Sequence, residues 1–172
     1  LDTLDLSSCD VGDSGIEALA LALEEEAIDE NPAICHLILC NNKISDRGAL
    51  TLGRALQTSK GLHLDLSSNQ IGDRGVASIA AALERGRIRL VKLRSCLIQA
   101  DGAELIGSAL RKLCLNCTEA HPESVCVDLS GNPLGVLRGK SKTNGKYSAS
   151  RLKSTATATA SPMLPTCAGA DV

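Results

Sequence analysis

Large aromatic side chains are almost missing from this chain. Among its 172 residues there is no Phe and no Trp, and Tyr147 is the only aromatic residue. A globular core of this size normally takes much of its buried area from a few large rings. Their absence excludes such a core and predicts an interior of thin layers, in which Leu, Ile, Val and Ala recur at equivalent positions.

Long hydrophobic runs are also absent. No stretch approaches the roughly 18 uninterrupted apolar residues of a membrane-spanning helix, and no signal peptide is recognisable. We therefore expect neither membrane spanning, nor a membrane partner, nor secretion. The sequence begins at Leu1 in the middle of a hydrophobic pattern, so it is expected to be a fragment of a longer protein.

The net charge of the chain is only −2, but the charges are unevenly distributed. Residues 1–137 hold 12 Lys/Arg and 19 Asp/Glu, whereas residues 138–172 hold 6 Lys/Arg and a single acid. The acidic part is a poor candidate for nucleic-acid binding. The basic segment is rich in Ser, Thr and Ala, and it is predicted to be disordered or to form a makeshift cap over the last repeat.

Cysteine, in contrast, is plentiful, with eight residues in the chain. Most of them lie inside apolar runs, at positions where equivalent segments carry Asn, His or Val. This pattern indicates free thiols that behave as small hydrophobic residues, not a disulfide framework. It predicts a reducing compartment, and therefore a cytoplasmic location.

A short motif recurs along the chain and ends each time in an Asn or Cys, which we call the anchor. The first copy consists of Leu4, Leu6, Cys9 and Val11. The five anchors are Cys9, Asn42, Asn69, Cys96 and Asn132. They are separated by steps of 33, 27, 27 and 36 residues, and a Gly follows six residues after each of the first four. Such aligned columns indicate an array of structural repeats.

Each repeat is predicted to combine a strand with a helix. The L-x-L part alternates with a period of two, and the Ala-rich second half places apolar residues four apart. One unit is too small to bury its own apolar face, so neighbouring repeats must stack. Inward-pointing anchors would then hydrogen-bond the turning backbone of adjacent repeats. An aspartate ahead of each helix is predicted to accept N–H groups of that helix: Asp13, Asp46, Asp73 and, in the fourth repeat, Asp101.

The segments "LDLSSCDVGDSGIEALALAL", "LILCNNKISDRGALTLGRAL", "LDLSSNQIGDRGVASIAAAL" and "LVKLRSCLIQADGAELIGSAL" resemble the leucine-rich repeats of the ribonuclease-inhibitor-like subfamily. That subfamily includes the ribonuclease inhibitor, the repeats of NOD-like receptors and the GTPase-activating protein for Ran. The resemblance covers residues 1–137 and implies an α/β solenoid, a horseshoe segment with a parallel sheet on its concave face and helices on its convex face. We expect about four full repeats and a terminal strand, with loops around residues 24–32 and 114–124.

The concave sheet face is the predicted binding surface. Residues that flank the Leu pair of each strand point to this face. The predicted partner-binding residues are Asp5, His36, Ile38, His63, Asp65, Lys92, Arg94 and Asp128. Mixed charges favour a polar protein partner and a non-catalytic scaffold role. The same carboxylates are also expected on a solvated strand face that binds nothing.

Catalytic and metal chemistry find little support in the sequence. Cys114, Cys117, His121 and Cys126 approach a zinc-ligand spacing, but ordinary thiols and a loop histidine are the favoured interpretation. His36 and His63 share a column near Asp65, and two aligned surface imidazoles are favoured there over a metal site. No cofactor, no metal and no enzymatic activity are therefore predicted.

Two alternative functions remain open. A Ran-type GTPase activator would use residues in the loops that leave the strands, and suitable types are Asn41, Asn42, Arg47, Asn69, Arg74, Arg94 and Asn132. A structural subunit of a large assembly would have the ends of its array completed by missing repeats or by neighbouring subunits.

Overall fold

Strands and helices alternate along the computed structural model, which describes residues 2–26, 34–57, 61–116, 125–135 and 157–159. The strands are β1 (Thr3–Asp5), β2 (His36–Ile38), β3 (Leu62–Asp65), β4 (Ile88–Lys92), β5 (Cys126–Asp128) and β6 (Thr157–Thr159). The helices are α1 (Asp13–Glu26), α2 (Asp46–Ala55), α3 (Asp73–Glu84) and α4 (Ala100–Asn116). None of these helices has the length and apolar character needed to cross a membrane.

The strands form one open sheet in chain order. β1 to β5 pair in parallel with their neighbours, and β6 pairs antiparallel with the outer side of β5. Successive helices pack on one another along the same direction. The predicted α/β leucine-rich repeat solenoid is therefore confirmed.

The core is a stack of aliphatic layers. Leu37, Leu64 and Val91 are register partners on β2, β3 and β4, and each is at most 1% exposed. Leu52 and Ile79 cover these layers from α2 and α3. Burying one such side chain contributes about 1.5–3 kcal/mol, so the stacked layers supply the main driving force without large rings.

The helices extend further than the sequence pattern predicts. Glu24, Glu25 and Glu26 were expected in a loop, but they form the last turn of α1. α4 likewise runs to Asn116 and so includes the first three residues of the second predicted loop. The remaining parts of both loops, residues 27–33 and 117–124, lie outside the described residues.

The basic segment contributes one described strand. Thr157–Thr159 pairs with Cys126–Asp128 at the edge of the sheet. The rest of residues 138–172 lies outside the described part of the chain, so a domain division at residue 137 stays a prediction.

An anchor amide joins the exits of neighbouring strands. Asn69 is 5% exposed, and its Nδ2 donates to the carbonyl oxygens of Leu39 and Leu66, each at 2.9 Å. Its Oδ1 accepts from the N–H of Ile44 at 3.1 Å. One side chain thereby satisfies polar backbone groups of two repeats, which would be costly to bury unpaired.

The five anchors differ in how fully they make these contacts. Asn42 reproduces the pattern of Asn69 one repeat earlier, and Asn132 does so at the last strand. Cys96 is buried and makes only long thiol contacts, 3.5 Å to the carbonyl of Leu66. Burial raises the pKa of the Cys96 thiol, which therefore stays protonated at neutral pH. Cys9 is exposed, because no described strand lies on the outer side of β1.

A second set of hydrogen bonds crosses between repeats through the aspartates. Asp13 Oδ1 accepts the N–H groups of Ser45 at 2.9 Å and Gly48 at 3.1 Å, both at the start of α2. Asp46 accepts those of Gly72 and Gly75 in the same way. The prediction that each aspartate caps its own helix is therefore wrong for these two residues and for Asp73, whose Oδ1 accepts the N–H of Gln99 at 2.7 Å, just before α4. The carboxylate reaches the next helix because stacking places that N-terminus beside it.

These hydrogen bonds across the junctions explain why a Gly follows six residues after the anchor in the second, third and fourth repeats. A Cβ added to Gly48 would lie 2.5 Å from Asp13 Oδ1, and one added to Gly75 would lie 2.7 Å from Asp46 Oδ1. Gly102 has the same relation to Asp73. Any side chain at these positions would push the bridging carboxylate away. Burial raises the pKa of Asp13, but hydrogen bonds from Ser45 and Gly48 and the charge of Arg47 outweigh it and lower the pKa overall.

Replacing the most deeply buried asparagine anchor tests the hydrogen bonds between strand exits. Asn69→Ala removes the side-chain partner of the Ile44 N–H and one donor to each of two carbonyls, so we expect a loss of about 2–4 kcal/mol in the free energy of unfolding. Urea denaturation followed by circular dichroism measures it. Cys9→Ala is the matched control, and it should change stability by no more than about 0.5 kcal/mol because Cys9 is exposed. Equal effects of the two variants would show that the hydrogen bonds of the Asn69 amide do not stabilise the fold.

The carboxylate bridge predicts opposite signs for two Gly→Ala substitutions in helices. Gly48→Ala should destabilise by about 1–3 kcal/mol, because its Cβ displaces the carboxylate of Asp13. Gly107→Ala should stabilise by about 0.5–1 kcal/mol, because the nearest atom to its Cβ is the end of Arg111 at 3.7 Å. Thermal melts of both variants provide the comparison, and a stabilising Gly48→Ala would refute the bridge.

Candidate functional site

The predicted partner-binding residues line one face of the sheet. Register partners across β1 to β5 place the central column in a continuous row of Asp5, Ile38, Asp65, Lys92 and Asp128. His36 and His63 belong to the next column, and Arg94 follows β4 on the other side. Adjacent strands lie about 4.8 Å apart, so these side chains form one surface, which we call the concave row.

Two ion pairs dominate the charge of the concave row. Lys92 Nζ lies 3.4 Å from Asp65 Oδ2, and Arg94 Nε lies 3.6 Å from Asp128 Oδ2. The lysine side chain is 45% exposed and its carboxylate partner 19%. Exposed pairs of this kind contribute only about 0–1 kcal/mol to stability. Their charges thus remain available for exchange with charges of a bound protein.

Each aspartate of the row is also fixed by a serine two residues later. Asp65 Oδ1 accepts the N–H of Ser67, and Asp128 Oδ1 accepts that of Ser130, both at 3.0 Å. Asp5 accepts both the hydroxyl and the N–H of Ser7, and these hydrogen bonds lower the pKa of Asp5 against a small opposing effect of burial. The sequence analysis did not predict this turn, although the D-x-S spacing, present three times in the sequence, is its signal; the turn holds the carboxylates in a fixed orientation.

The two histidines of the face contact each other directly. The ring centroids of His36 and His63 are 4.5 Å apart, and the rings are nearly perpendicular. Burial lowers the pKa of His63, and the charges of His36 and Arg89 lower it further. The favoured interpretation of two aligned imidazoles did not anticipate this ring contact, which depends on the side-chain rotamers as well as on the register.

The structure describes only part of the candidate zinc set. Within the described part of the chain, no three His, Cys, Asp or Glu side chains form a group that could hold a metal ion. Cys126 lies on β5 with a half-buried side chain. Cys117, His121 and the side chain of Cys114 fall outside the described residues, so their zinc-like spacing stays untested.

The loops that leave the strands share one backbone conformation. The residue before each anchor has a positive φ: Ser8, Asn41, Ser68, Ser95 and Gly131. Beside this turn, Lys43 Nζ forms an exposed ion pair with Asp10 at 2.7 Å. Arg47, one arginine of the GTPase-activator alternative, is held by Glu17 at 2.6 Å on the helical side. These loops form a polar margin along the concave row.

The histidine pair predicts a measurable pH dependence. The pKa of His63 in the folded protein should lie below its ordinary value of 6.5. Because the fold disfavours the protonated form, His63 should destabilise the protein as pH falls through 6.5 towards the lowered pKa. A histidine NMR titration gives the pKa, and His36→Asn should raise it part of the way towards 6.5 by removing a neighbouring charge.

Thr3→Ala is the control for that titration. Thr3 is the other register neighbour of His36 and carries no charge, so its removal should leave the pKa of His63 in place. A pKa of His63 at or above 6.5, or one indifferent to His36→Asn, would contradict the interaction.

The comparisons with known proteins agree with this arrangement. A family model described as "Leucine Rich repeat" matches residues 1–20 and 62–80, which include β1 and β3 and the first turns of the helices that follow them. A search of the curated proteins finds no match. The matched segments, together with the recurring anchors and the stacked parallel sheet, support a leucine-rich repeat protein.

Proposed function

We propose that this chain is a non-catalytic protein-binding scaffold of the ribonuclease-inhibitor-like subfamily, and that its partner binds the concave row and the adjoining loops. Leucine-rich repeats generally mediate protein–protein interactions, and repeat arrays use their extended concave surfaces for this purpose. The concave row carries three aspartates, one lysine and one arginine on adjoining strands. This continuous polar surface is the observation on which the proposal rests.

The expected partner is polar and charged. Lys92 and Arg94 are half-exposed, and each already faces a carboxylate across 3.4–3.6 Å. A partner with charges of both signs can replace these internal pairs with intermolecular ones without leaving a charge buried alone. The lack of Trp and Phe removes the side chains that most often form hydrophobic hot spots, so electrostatic complementarity should set specificity.

The chemistry of the surface also favours a protein over a nucleic acid, and a reducing environment. Residues 1–137 carry an excess of seven negative charges, which would repel a phosphate backbone. The cysteines whose side chains are described are free thiols, at positions 9, 35, 40, 96 and 126. We propose a cytoplasmic location on this basis.

A pair of matched variants tests the proposal. The triple variant Asp65→Ala, Lys92→Ala, Asp128→Ala removes the centre of the concave row. The control Glu84→Ala, Lys112→Ala removes an ion pair of 3.1 Å on the helical side. Proteins captured from a cell extract by the native chain should be retained by the control and lost by the triple variant. For one purified partner we expect at least about a tenfold weaker Kd, since the coupling between close charge pairs across an interface is about 1.5 kcal/mol or more.

Salt provides a second measurement on the same partner. Binding through the concave row should weaken as ionic strength rises, because exposed charges are screened within about 8–10 Å at physiological salt. Partners that bind the triple variant as well as the native chain would move the binding site off the concave face. Equal loss with both variants would indicate an effect on folding, and melting curves of each variant distinguish that case.

A further inference from the structure

Basic residues are concentrated in one segment of the acidic repeat array. Residues 85–94 contain five of the 12 Lys/Arg of residues 1–137, and they contain no Asp or Glu. Among the strands that the structure describes, β4 alone contains Lys or Arg. The positive charge of the concave face is therefore carried by one strand and the residues that adjoin it.

Three of these basic side chains follow β4 across the sheet, and we call them the basic stripe: Arg89, Lys92 and Arg94. Arg89 is exposed at the start of the neighbouring strand, where a Cβ added to Gly61 would lie 2.9 Å from its Nε. Lys92 ends β4, and Arg94 follows two residues later. At about 3.3 Å per residue, the basic stripe is roughly 17 Å long.

A β-bulge sets the position of Arg89. The consecutive residues Leu62 and His63 of β3 pair with Ile88 and Leu90, so Arg89 is the extra residue of β4. Such an insertion changes the direction of a side chain relative to the regular alternation. The charge of Arg89 reaches the concave face, because it adds to the effect of burial in lowering the pKa of His63.

In each ion pair of the basic stripe, the cation lies further out than the carboxylate. The side chain of Lys92 is 45% exposed and that of Asp65 is 19% exposed. For Arg94 and Asp128 the corresponding values are 60% and 26%. Long basic side chains extend beyond the short aspartates, so a molecule that approaches this strand meets positive charge first.

The aspartates beside the stripe do not depend on the cations for hydrogen bonding. Asp65 Oδ1 accepts the N–H of Ser67, and Asp128 Oδ1 accepts that of Ser130. The internal ion pairs are 3.4–3.6 Å long, whereas a charge-assisted hydrogen bond is about 2.7–2.9 Å long. The two cations can therefore donate to an incoming carboxylate without leaving an aspartate unsatisfied.

We propose that the partner of the concave row presents a short acidic segment of extended protein chain, which lies along β4 with its carboxylates on the basic stripe. This assignment rests on the proposed function and adds the chemistry of the bound segment. About five or six extended residues cover 17 Å. Asp65 and Asp128 flank the stripe on both sides, so a single chain with separate carboxylates fits better than a broad polyanion such as a nucleic acid.

Fluorescein-labelled decaglutamate is the probe, because it requires no natural partner. Fluorescence anisotropy at low salt should show saturable binding to the full chain. The double variant Lys92→Gln, Arg94→Gln should weaken the Kd at least about tenfold, because two close charge pairs with the probe are lost. The control Arg47→Gln, Lys112→Gln removes the same charge from two ion pairs on the helical side, and it should change the Kd less than about twofold.

A variant of opposite sign protects the test against an effect on folding. Asp65→Asn with Asp128→Asn keeps an oxygen that can accept the serine N–H groups but removes the competing charges, so the Kd for decaglutamate should become at least about threefold tighter. Saturation with decaglutamate should also raise the pKa of His63 in an NMR titration, because it brings negative charge beside Arg89.

Three results with the isolated chain would overturn the proposal. Binding that ignores Lys92→Gln, Arg94→Gln would place the acidic probe elsewhere, for example on the basic residues 138–172. A decathymidylate that binds more tightly than decaglutamate and is lost with the same variant would indicate a nucleic acid. A dimer that forms with rising concentration and is dissociated by decaglutamate would make a second copy the occupant, through its acidic residues 24–30.

The captured partner separates this proposal from the proposed function. Displacement of that partner by decaglutamate, but not by decalysine, is the expected result. A partner that is lost with the triple variant of the concave row but is not displaced by decaglutamate would overturn the acidic segment and leave the scaffold function in place. A partner that binds the triple variant as well as the native chain would overturn both.

Discussion

Polar backbone groups at the exits of parallel strands have to be satisfied inside a stack of repeats, and this constraint governs the whole chain. Asn69 meets it by bonding to the backbone of its own repeat and of the one before. Asp46 meets the same need one turn later, by accepting the first N–H groups of the next helix. Because both side chains act across a junction, no repeat is complete without its neighbour, and the array folds as one linear unit.

The thin aliphatic core follows from this arrangement. Stacked repeats place equivalent residues directly beside each other, as with Leu37, Leu64 and Val91, so each layer needs only a branched aliphatic side chain of constant size. A large ring would exceed the space between layers and strain the junctions. Gly48 and Gly75 meet the same limit on space, because a bridging carboxylate occupies the volume that a side chain would need at each position.

The sheet face that carries the concave row does not pack against the helices. Its side chains can therefore differ without disturbing the core. Asp65 combines two roles there, since one carboxylate oxygen accepts the N–H of Ser67 and the other faces Lys92. The hydrogen bond from Ser67 fixes the orientation of the Asp65 carboxylate. The ion pair with Lys92 is weak, so the carboxylate can pair with a charge of a partner instead. A surface with these properties can present ordered charges that the protein does not require for its own stability.

The sequence by itself determined the repeats, the strand and helix of each unit, and the columns that share a face, because periods of two and about 3.6 residues are local properties of the chain. It also marked Asp5, Asp65 and Asp128 as one row. Only the tertiary structure decided which repeat each aspartate serves, that the imidazoles of the two histidines touch, and that Cys9 is exposed while Cys96 is buried. These features depend on how neighbouring repeats are offset from each other and on whether a strand has a neighbour on both sides. Neither is encoded in the spacing of residues within a single repeat.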